Sequence, residues 1–209
     1  MRFTDVAALL TPVRFEHLPG EAAQARLAPR PRATGPLLRG GPPRRPAAGL
    51  VLIYPVAAEA TLLLTVRGSD LASHGGQVSL PGGAAEPGES VEDTALREAA
   101  EEVGLSPDGV VVRGRLTPLH IPVSGYLLHP VVATRDEQPA LVPDPREVER
   151  LIEVPLRMLA EPSSWRVELR ERRGVTVEVP ALDLGGAHLW GATAMVVAEL
   201  LALIDPGYR

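Results

Sequence analysis

Apolar residues along the chain follow two different spacings, and each spacing predicts a type of element. Short apolar, β-branched runs at 49–56 and 61–66 are separated by the segment AAEA, which is typical of a β-hairpin. Comparable runs predict further strands at 110–117, 126–134 and 150–154, and a second hairpin over 165–182. Strands in this number predict a sheet as the centre of the fold.

Helical spacing occurs between the strands and at both ends of the chain. The first 27 residues predict one short helix, with Val6, Leu9, Leu10 and Val13 on its apolar side, and an irregular stretch. Helices are further predicted at 90–103, 155–161 and 188–204, the last of them amphipathic. Several strands interspersed with a few helices predict an α/β or α+β sandwich.

A segment unlike the rest of the chain lies at 28–48. It is dense in proline, glycine and arginine, and therefore suits neither a helix nor a central strand. No acidic residue occurs between Ala22 and Ala58, so the segment is also basic. It is either a solvated tether or an arm that lies over an anionic substrate. The predicted division is residues 1–46, an N-terminal helix and arm, and residues 47–209, the main domain.

The composition narrows the classes of function. The 209 residues fit one domain with an appendage. A net charge of −5 and a pI of about 5.6 do not indicate a nucleic-acid binder. The chain contains neither cysteine nor lysine, which excludes thiolate and Schiff-base chemistry. No apolar run approaches about 18 residues and the first residues make a poor signal peptide, so we expect no membrane span and a cytoplasmic location.

The helix predicted at 90–103 contains the candidate chemistry. It begins with a Ser-x-x-Asp capping box and is followed by a glycine. At about 100° per residue, Glu98, Glu101 and Glu102 share one arc, and small apolar residues occupy the opposite side. Arg97 precedes Glu101 by four positions and can pair with it. The three carboxylates repel one another, so they either form a solvated acidic face or bind a hard divalent cation such as Mg²⁺.

A longer pattern surrounds this helix. Residues 83–105 fit G-x5-E-x7-R-E-U-x-E-E-x-G-U at every position, where U is a bulky or aliphatic residue and Ala99 is a small occupant of the first U. The segment resembles the Nudix box, the signature of the Nudix hydrolase superfamily. The resemblance implies a Nudix fold, with a mixed β-sheet sandwiched between helices and a loop–helix–loop metal motif. It also implies an enzyme that hydrolyses a phosphoric anhydride bond, with Mg²⁺ or Mn²⁺ as cofactor.

The resemblance also assigns roles to residues of the box. The expected metal ligands and supports of the metal site are Glu98, Glu101, Glu102, Glu89 and the carbonyl of Gly82. Arg97 would orient a neighbouring glutamate. A carboxylate must accept the proton of the attacking water. In this superfamily that base is either the glutamate at the position of Glu98 or one in a later loop, for which Glu147 and Glu149 are candidates; otherwise both belong to an exposed turn.

The segment before the box, residues 62–83, is similar to a motif of the coenzyme A pyrophosphatase branch, roughly L-L-T-x-R-[SA]-x3-R-x3-G-x3-F-P-G-G. It departs from that motif at Gly68, Ala72 and Leu80. A cation at position 72 could contact the coenzyme's phosphates, so its absence leaves the substrate open. The candidate substrate-binding residues are Arg67, His74, Gly82 and Gly83. Otherwise Arg67 forms a salt bridge within the fold, and His74 braces the loop with a hydrogen bond.

The branch resemblance implies one activity above its alternatives. The expected reaction converts coenzyme A or an acyl-CoA to 3′,5′-ADP and a 4′-phosphopantetheine compound. The alternatives are a Nudix hydrolase of ADP-ribose, NADH or a nucleoside triphosphate, and a non-catalytic Nudix-like binding module. Such modules usually lack box carboxylates that this chain retains. The expected partner is a small CoA-like nucleotide, with neither nucleic acid nor membrane, and a homodimer is left open.

Overall fold

The computed structural model describes residues 1–31, 45–68, 76–122, 124–172, 174–205 and 207–208. Within these ranges the α-helices are α1 (Phe3–Leu9), α2 (Pro12–Glu16), α3 (Gly20–Gln24), α4 (Val91–Val103), α5 (Leu156–Ala160) and α6 (Gly191–Ile204). The strands are β1 (Arg45–Val56), β2 (Glu59–Arg67), β3 (Val78–Ser79), β4 (Gly82–Ala84), β5 (Val110–Arg115), β6 (Leu119–Ile121), β7 (Tyr126–Arg135), β8 (Val148–Pro155), β9 (Arg166–Arg172), β10 (Val175–Asp183) and β11 (His188–Leu189).

A mixed sheet of eight strands forms the centre of the molecule. Its main order is β3-β2-β1-β7-β5, while β4 pairs with β1, β6 with β7 and β8 with β2. Strands β1 and β7 run parallel, and the other pairs in this sheet are antiparallel. The hairpin predicted around AAEA is present as β1 and β2, with Val56 opposite Glu59.

Both faces of the sheet are covered, which confirms the expected sandwich. Alternate residues of β1 point to opposite faces because the side-chain period of a strand is two. Leu50, Leu52 and Tyr54 belong to a core cluster with the small apolar residues of α4. Val51 and Ile53 belong to a second cluster with α6 and the N-terminal helices. Helix α4 is therefore fixed against one face of the sheet.

The N-terminal residues fold differently from the prediction of a single short helix. Pro12 starts a second helix, α2, since proline suits the first helical position but lacks the N–H that would continue α1. Leu10 stays buried, whereas Val13 is 64% exposed and not on the apolar side. The backbone also joins the sheet, because the N–H of Phe3 donates to the carbonyl of Ala58 at 3.0 Å. Residues 1–31 thus pack on the same core as the sheet.

Helix α6 is buried almost all round, rather than amphipathic as its spacing predicts. The sheet, the N-terminal helices and α5 all pack against it. The fully buried Glu199 on this helix accepts hydrogen bonds from the N–H of Gly20, from Gln24 Nε2 at 2.8 Å and from the N–H and Oγ1 of Thr117, the latter at 2.6 Å. A buried carboxylate is tolerated when its oxygens are satisfied in this way. Glu199 thereby ties α3 and the segment after β5 to α6.

A second, smaller sheet follows in the order β11-β10-β9, all antiparallel, and includes the predicted hairpin. Residue Arg30 pairs with Glu178 of β10, where two backbone hydrogen bonds of 2.7 and 2.8 Å join them. Most of the basic segment, residues 32–44, lies outside the described residues, so its role and the division at residue 46 stay predictions. The expectation that 28–48 contains no central strand is wrong for residues 45–48, because they begin β1 and pair with β7 on one side. Among the described helices, none is long and apolar enough to cross a membrane.

Candidate metal and phosphate site

Helix α4 begins and ends where its sequence indicates. The Oγ of Ser90 accepts a hydrogen bond from the N–H of Asp93 at 3.1 Å and donates to the Asp93 carboxylate at 2.6 Å. Gly104 ends the helix in the left-handed region, at φ +64°, where a Cβ would lie 2.9 Å from the carbonyl oxygen of Val142. These contacts fix where the helix begins and ends. Its rotation, and with it the direction of its carboxylates, is set by Ala95, Ala99 and Val103, which pack in the core with β1.

The three carboxylates of the helix differ in their exposure to water. The side chain of Glu101 is 57% exposed, that of Glu98 15% and that of Glu102 4%. The difference follows from rotation, because Glu102 turns towards β4 and Glu101 turns away from it. Two of the three glutamates are thus held in a poorly hydrated environment, where charge is costly unless it is compensated.

Arg97 compensates much of this charge. Its guanidinium lies 2.8 Å from Glu89, 2.9 Å from Glu98 and 3.0 Å from Glu101, and it donates to the carbonyl of Ala84 at 3.1 Å. The hydrogen bonds from Arg97 lower the pKa of Glu89 to about 2, with smaller help from the Glu86 N–H. Arg97 therefore connects the loop before the helix to the carboxylate face. The orienting role expected for it stays a prediction.

Glu102 is the most deeply buried glutamate of the site. The N–H of Gly82 donates to its Oε2 at 3.0 Å, and Arg67 Nη1 lies 3.6 Å from its Oε1. Burial raises its pKa to about 7, while the Gly82 N–H and Arg67 oppose that rise and the charges of Glu147 and Glu98 add to it. Glu102 is thus a carboxylate that would gain from a further cation.

Strand β4 approaches the helix at two glycines that allow close contact. A Cβ on Gly82 would lie 2.2 Å from the carbonyl oxygen of Ala48 on β1. A Cβ on Gly83 would lie 2.5 Å from the carboxyl carbon of Glu98. Each side of β4 therefore needs a residue without a side chain. The predicted contact of Gly82 and Gly83 with substrate and the use of the Gly82 carbonyl as a ligand stay predictions.

Gly83→Ala should test this close approach. The added methyl group occupies the position of the Glu98 carboxylate, so we expect kcat/KM to fall by about a hundredfold, as for a displacement of about 1 Å in a reacting group. Gly68→Ala is the matched control, because its Cβ would meet the carbonyl oxygen of Glu147 at an ordinary 3.7 Å. An unchanged rate for Gly83→Ala, in steady-state assays of the two purified variants, would contradict the role of Glu98.

Glu147 is brought to the carboxylate cluster by the loop before β8. The backbone N–H of Gly68 donates to its carbonyl at 2.9 Å, and the neighbouring Asp144 N–H donates to the carbonyl of Glu102 at 2.9 Å. Burial raises the pKa of Glu98, Arg97 opposes the rise, and the charges of Glu101 and Glu147 add to it. Of the two later candidates, Glu147 is half-buried beside the site and Glu149 is exposed on β8.

Several residues that support the site were not predicted from the sequence. Thr94 Oγ1 donates to Glu89 at 2.9 Å, and its place four residues after the capping serine was the available signal. Thr65 of the upstream motif shares a hydrogen bond of 2.9 Å with the Ser79 hydroxyl and so joins β2 to β3.

Two predicted residues of the upstream motif have different outcomes. Arg67 lies beside Glu102. His74 lies outside the described residues, so its predicted substrate contact stays a prediction.

The comparisons with known proteins decide the family. A model of the NUDIX domain matches residues 43–172 of the chain. The chain belongs to the Nudix family. As a Nudix hydrolase it is an enzyme that acts on phosphoric anhydride bonds of nucleotide-derived substrates.

Similar Nudix hydrolases occur in bacteria. A protein of Photorhabdus laumondii, named uncharacterized Nudix hydrolase NudL, is 40% identical over 141 residues, which cover 67% of this chain and 75% of the relative. A protein of the same name from Pectobacterium atrosepticum is 40% identical over 174 residues, which cover 81% of this chain and 88% of that relative. The crystal structure of RenU, a Nudix hydrolase from M. Smegmatis, is 30% identical with a TM-score of 0.45 and covers 56% of this chain and 74% of its own.

Nudix hydrolases generally use divalent metal ions such as Mg²⁺ or Mn²⁺. In the described ranges, no three His, Asp or Glu side chains already form a group that could hold such an ion. Arg97 instead holds the carboxylates of Glu98 and Glu101. The donor chemistry nevertheless fits a hard cation, which prefers carboxylate oxygens. The buried Glu102 and the half-buried Glu98 supply such oxygens, and burial raises the pKa of both carboxyl groups.

Proposed function

We propose that this Nudix hydrolase is a pyrophosphatase that cleaves coenzyme A or an acyl-CoA to 3′,5′-ADP and a 4′-phosphopantetheine compound. The observation that supports this most is the contact of Arg67 with Glu102, at 3.6 Å. Arg67 belongs to the segment that resembles the coenzyme A branch, and Glu102 belongs to the Nudix box. The segment proposed to select the substrate therefore contacts the carboxylates at which the anhydride would be cleaved.

Glu98, Glu101 and Glu102 would hold Mg²⁺ or Mn²⁺, with Glu89 and the Gly82 carbonyl in support. Such a cation neutralises phosphate charge and lowers the pKa of a bound water. Support for this assignment is the low exposure of Glu98 and Glu102, since poorly hydrated carboxylates gain most from a nearby cation.

A carboxylate of the chain must accept the proton of the attacking water. We propose Glu147 for this role, with Glu98 as the alternative. Glu147 is supported by its position, because its charge reaches both Glu98 and Glu102 and raises the pKa of each. Glu147 also lies on a loop rather than on α4. It can therefore accept the proton of the water without being one of the proposed metal ligands.

The substrate assignment is tested by comparing nucleotides that differ in one group. Coenzyme A differs from 3′-dephospho-CoA only in the 3′-phosphate. A site built for coenzyme A should contact that phosphate, and a lost charge-assisted contact costs about ten- to a hundredfold in kcat/KM. We therefore expect kcat/KM for coenzyme A to exceed that for 3′-dephospho-CoA by at least about tenfold.

The same assay should include ADP-ribose, NADH and ATP at matched ionic strength. Each is expected to be cleaved more slowly than coenzyme A. Equal rates on coenzyme A and 3′-dephospho-CoA, or faster cleavage of ADP-ribose, would contradict the coenzyme A assignment and leave a Nudix hydrolase of another nucleotide. The absence of a cation at Ala72 makes this outcome worth measuring first.

A further inference from the structure

Two arginines divide the carboxylates of the site between them. Arg97 lies within 3.1 Å of Glu89, Glu98 and Glu101. Arg67 is ion-paired with the remaining glutamate, Glu102. The two arginines come from different elements, since one is on α4 and the other ends β2. Each therefore contributes its charge to the site independently.

The contacts of the two arginines differ in kind. Arg97 makes several hydrogen bonds of 2.8–3.1 Å and also binds a backbone carbonyl, so its guanidinium is fixed. Arg67 approaches Glu102 only to 3.6 Å, which is an ion pair but too long for a hydrogen bond. Its side chain is 29% exposed, so water and small anions can reach the guanidinium. Arg67 can therefore leave Glu102 without breaking a hydrogen bond, provided that another cation compensates the carboxylate.

The backbone of Arg67 is nevertheless firmly held. Its N–H donates to the carbonyl of Gln77 at 3.1 Å, and its carbonyl accepts from the N–H of Gly76 at 2.8 Å. The regular pairing of β2 with β8 shifts at this point, where Val66 lies opposite Arg150 and Arg67 lies opposite Val148, and Arg67 is the last residue of β2. The side chain can therefore turn about a fixed base.

We propose that Arg67 neutralises Glu102 until a divalent cation binds there, and that its guanidinium then turns to a phosphate oxygen of the substrate. A divalent cation at Glu102 would repel a guanidinium at this distance. The displaced guanidinium would then lie beside the cation. Two neighbouring positive charges suit an anion with two adjacent phosphates. This proposal rests on the proposed metal site at Glu102, and deepens it, but does not require that the substrate be coenzyme A.

The proposal predicts opposite changes in two affinities. In Arg67→Gln, Mn²⁺ no longer competes with a guanidinium, so we expect its Kd in the nucleotide-free protein to fall by about tenfold. KM for the nucleotide should rise by about tenfold or more, because the phosphate contact is lost, while kcat changes less. Mn²⁺ binding is measured on the full chain by titration calorimetry and by the electron paramagnetic resonance signal of free Mn²⁺.

Two further variants complete the experiment. Arg67→Lys keeps the charge without the planar fork, so Mn²⁺ should bind about as in the wild type. It also serves as the test if Arg67→Gln does not fold, because a purely structural role would weaken Mn²⁺ binding in Arg67→Lys as well. Arg150→Gln is the matched control on β8, since its guanidinium is directed to the carbonyls of Leu184 and Gly185, away from Glu102. Both affinities should be unchanged in it.

The outcomes separate the proposal from its rivals. Weaker Mn²⁺ binding in Arg67→Gln, or an unchanged Kd, would overturn it. The Mn²⁺ titration uses no nucleotide, so a failure to hydrolyse coenzyme A contradicts the proposed substrate alone. If the wild type itself does not bind Mn²⁺, the metal site of the proposed function fails, and the role of Arg67 fails with it.

Discussion

Glu102→Gln should lower kcat/KM by about a hundredfold or more, which is the effect of removing one main electrostatic stabiliser of a transition state. The substitution keeps the shape of the side chain but removes its charge. Glu92→Gln is the matched control on the same helix, because Glu92 pairs with Arg115 rather than with the carboxylate cluster. Near-normal turnover of Glu102→Gln at saturating Mg²⁺ would contradict the assignment of this residue.

At pH 8, Glu102→Gln should be no less stable than the wild type. Burial raises the pKa of Glu102 from 4.5 to about 7 in the folded protein. The folded state therefore binds more protons than the unfolded state between these values, so its free energy of unfolding falls as the pH rises through this window. In chelator at pH 8, thermal unfolding of Glu102→Gln should occur at or above the wild-type temperature, and the lost activity then reflects chemistry.

Leu10→Ala should destabilise the protein by about 2–5 kcal/mol, the usual cost of truncating a buried leucine. Leu10 lies before the sheet in the sequence but is only 2% exposed in the core. Val13→Ala is the control, since Val13 is 64% exposed and such substitutions usually change stability by less than about 0.5 kcal/mol. Urea unfolding of both variants gives the comparison.

Equal midpoints for the two variants would mean that the N-terminal helices do not belong to the core. The expected difference has a practical consequence for work on the basic segment at 32–44. Removal of everything before residue 45 would also remove Phe3, Val6 and Leu10 from the core. Substitution of the arginines within the segment is therefore the appropriate way to test a role in substrate binding.

The site was predictable as far as its signals are local. A capping serine, a terminating glycine and the spacing of charged residues are sufficient to predict helix α4 and its carboxylate face, and Arg97 does pair with Glu101 four residues later. The burial of Glu102 was not predictable, because it depends on the approach of β4 at Gly82. Nor was the contact between Arg67 and Glu102, since it joins the end of β2 to helix α4, which are distant in the sequence.

The same division holds for the rest of the fold. Apolar runs predicted the longer strands of both sheets, since such runs are visible in a strand's own residues. The short strands β3, β4, β6 and β11 were not predicted, and residues 188–189 of β11 were assigned to the last helix. The wrong interpretation of α6 as amphipathic has a tertiary cause, because three separate elements pack around it. The break at Pro12 does have a local signal, and proline at a first helical position predicts it.

The most direct test of the account is to identify the products formed from coenzyme A by mass spectrometry. Purified enzyme is incubated with coenzyme A and Mg²⁺, with Mn²⁺, or with chelator, beside Glu102→Gln under the same conditions. With either cation we expect 3′,5′-ADP and 4′-phosphopantetheine in equal amounts. In chelator we expect neither product. At matched times, Glu102→Gln should form no more than about one per cent of the wild-type amount. Cleavage that persists in chelator, or intact coenzyme A after prolonged incubation with both cations, would contradict the account.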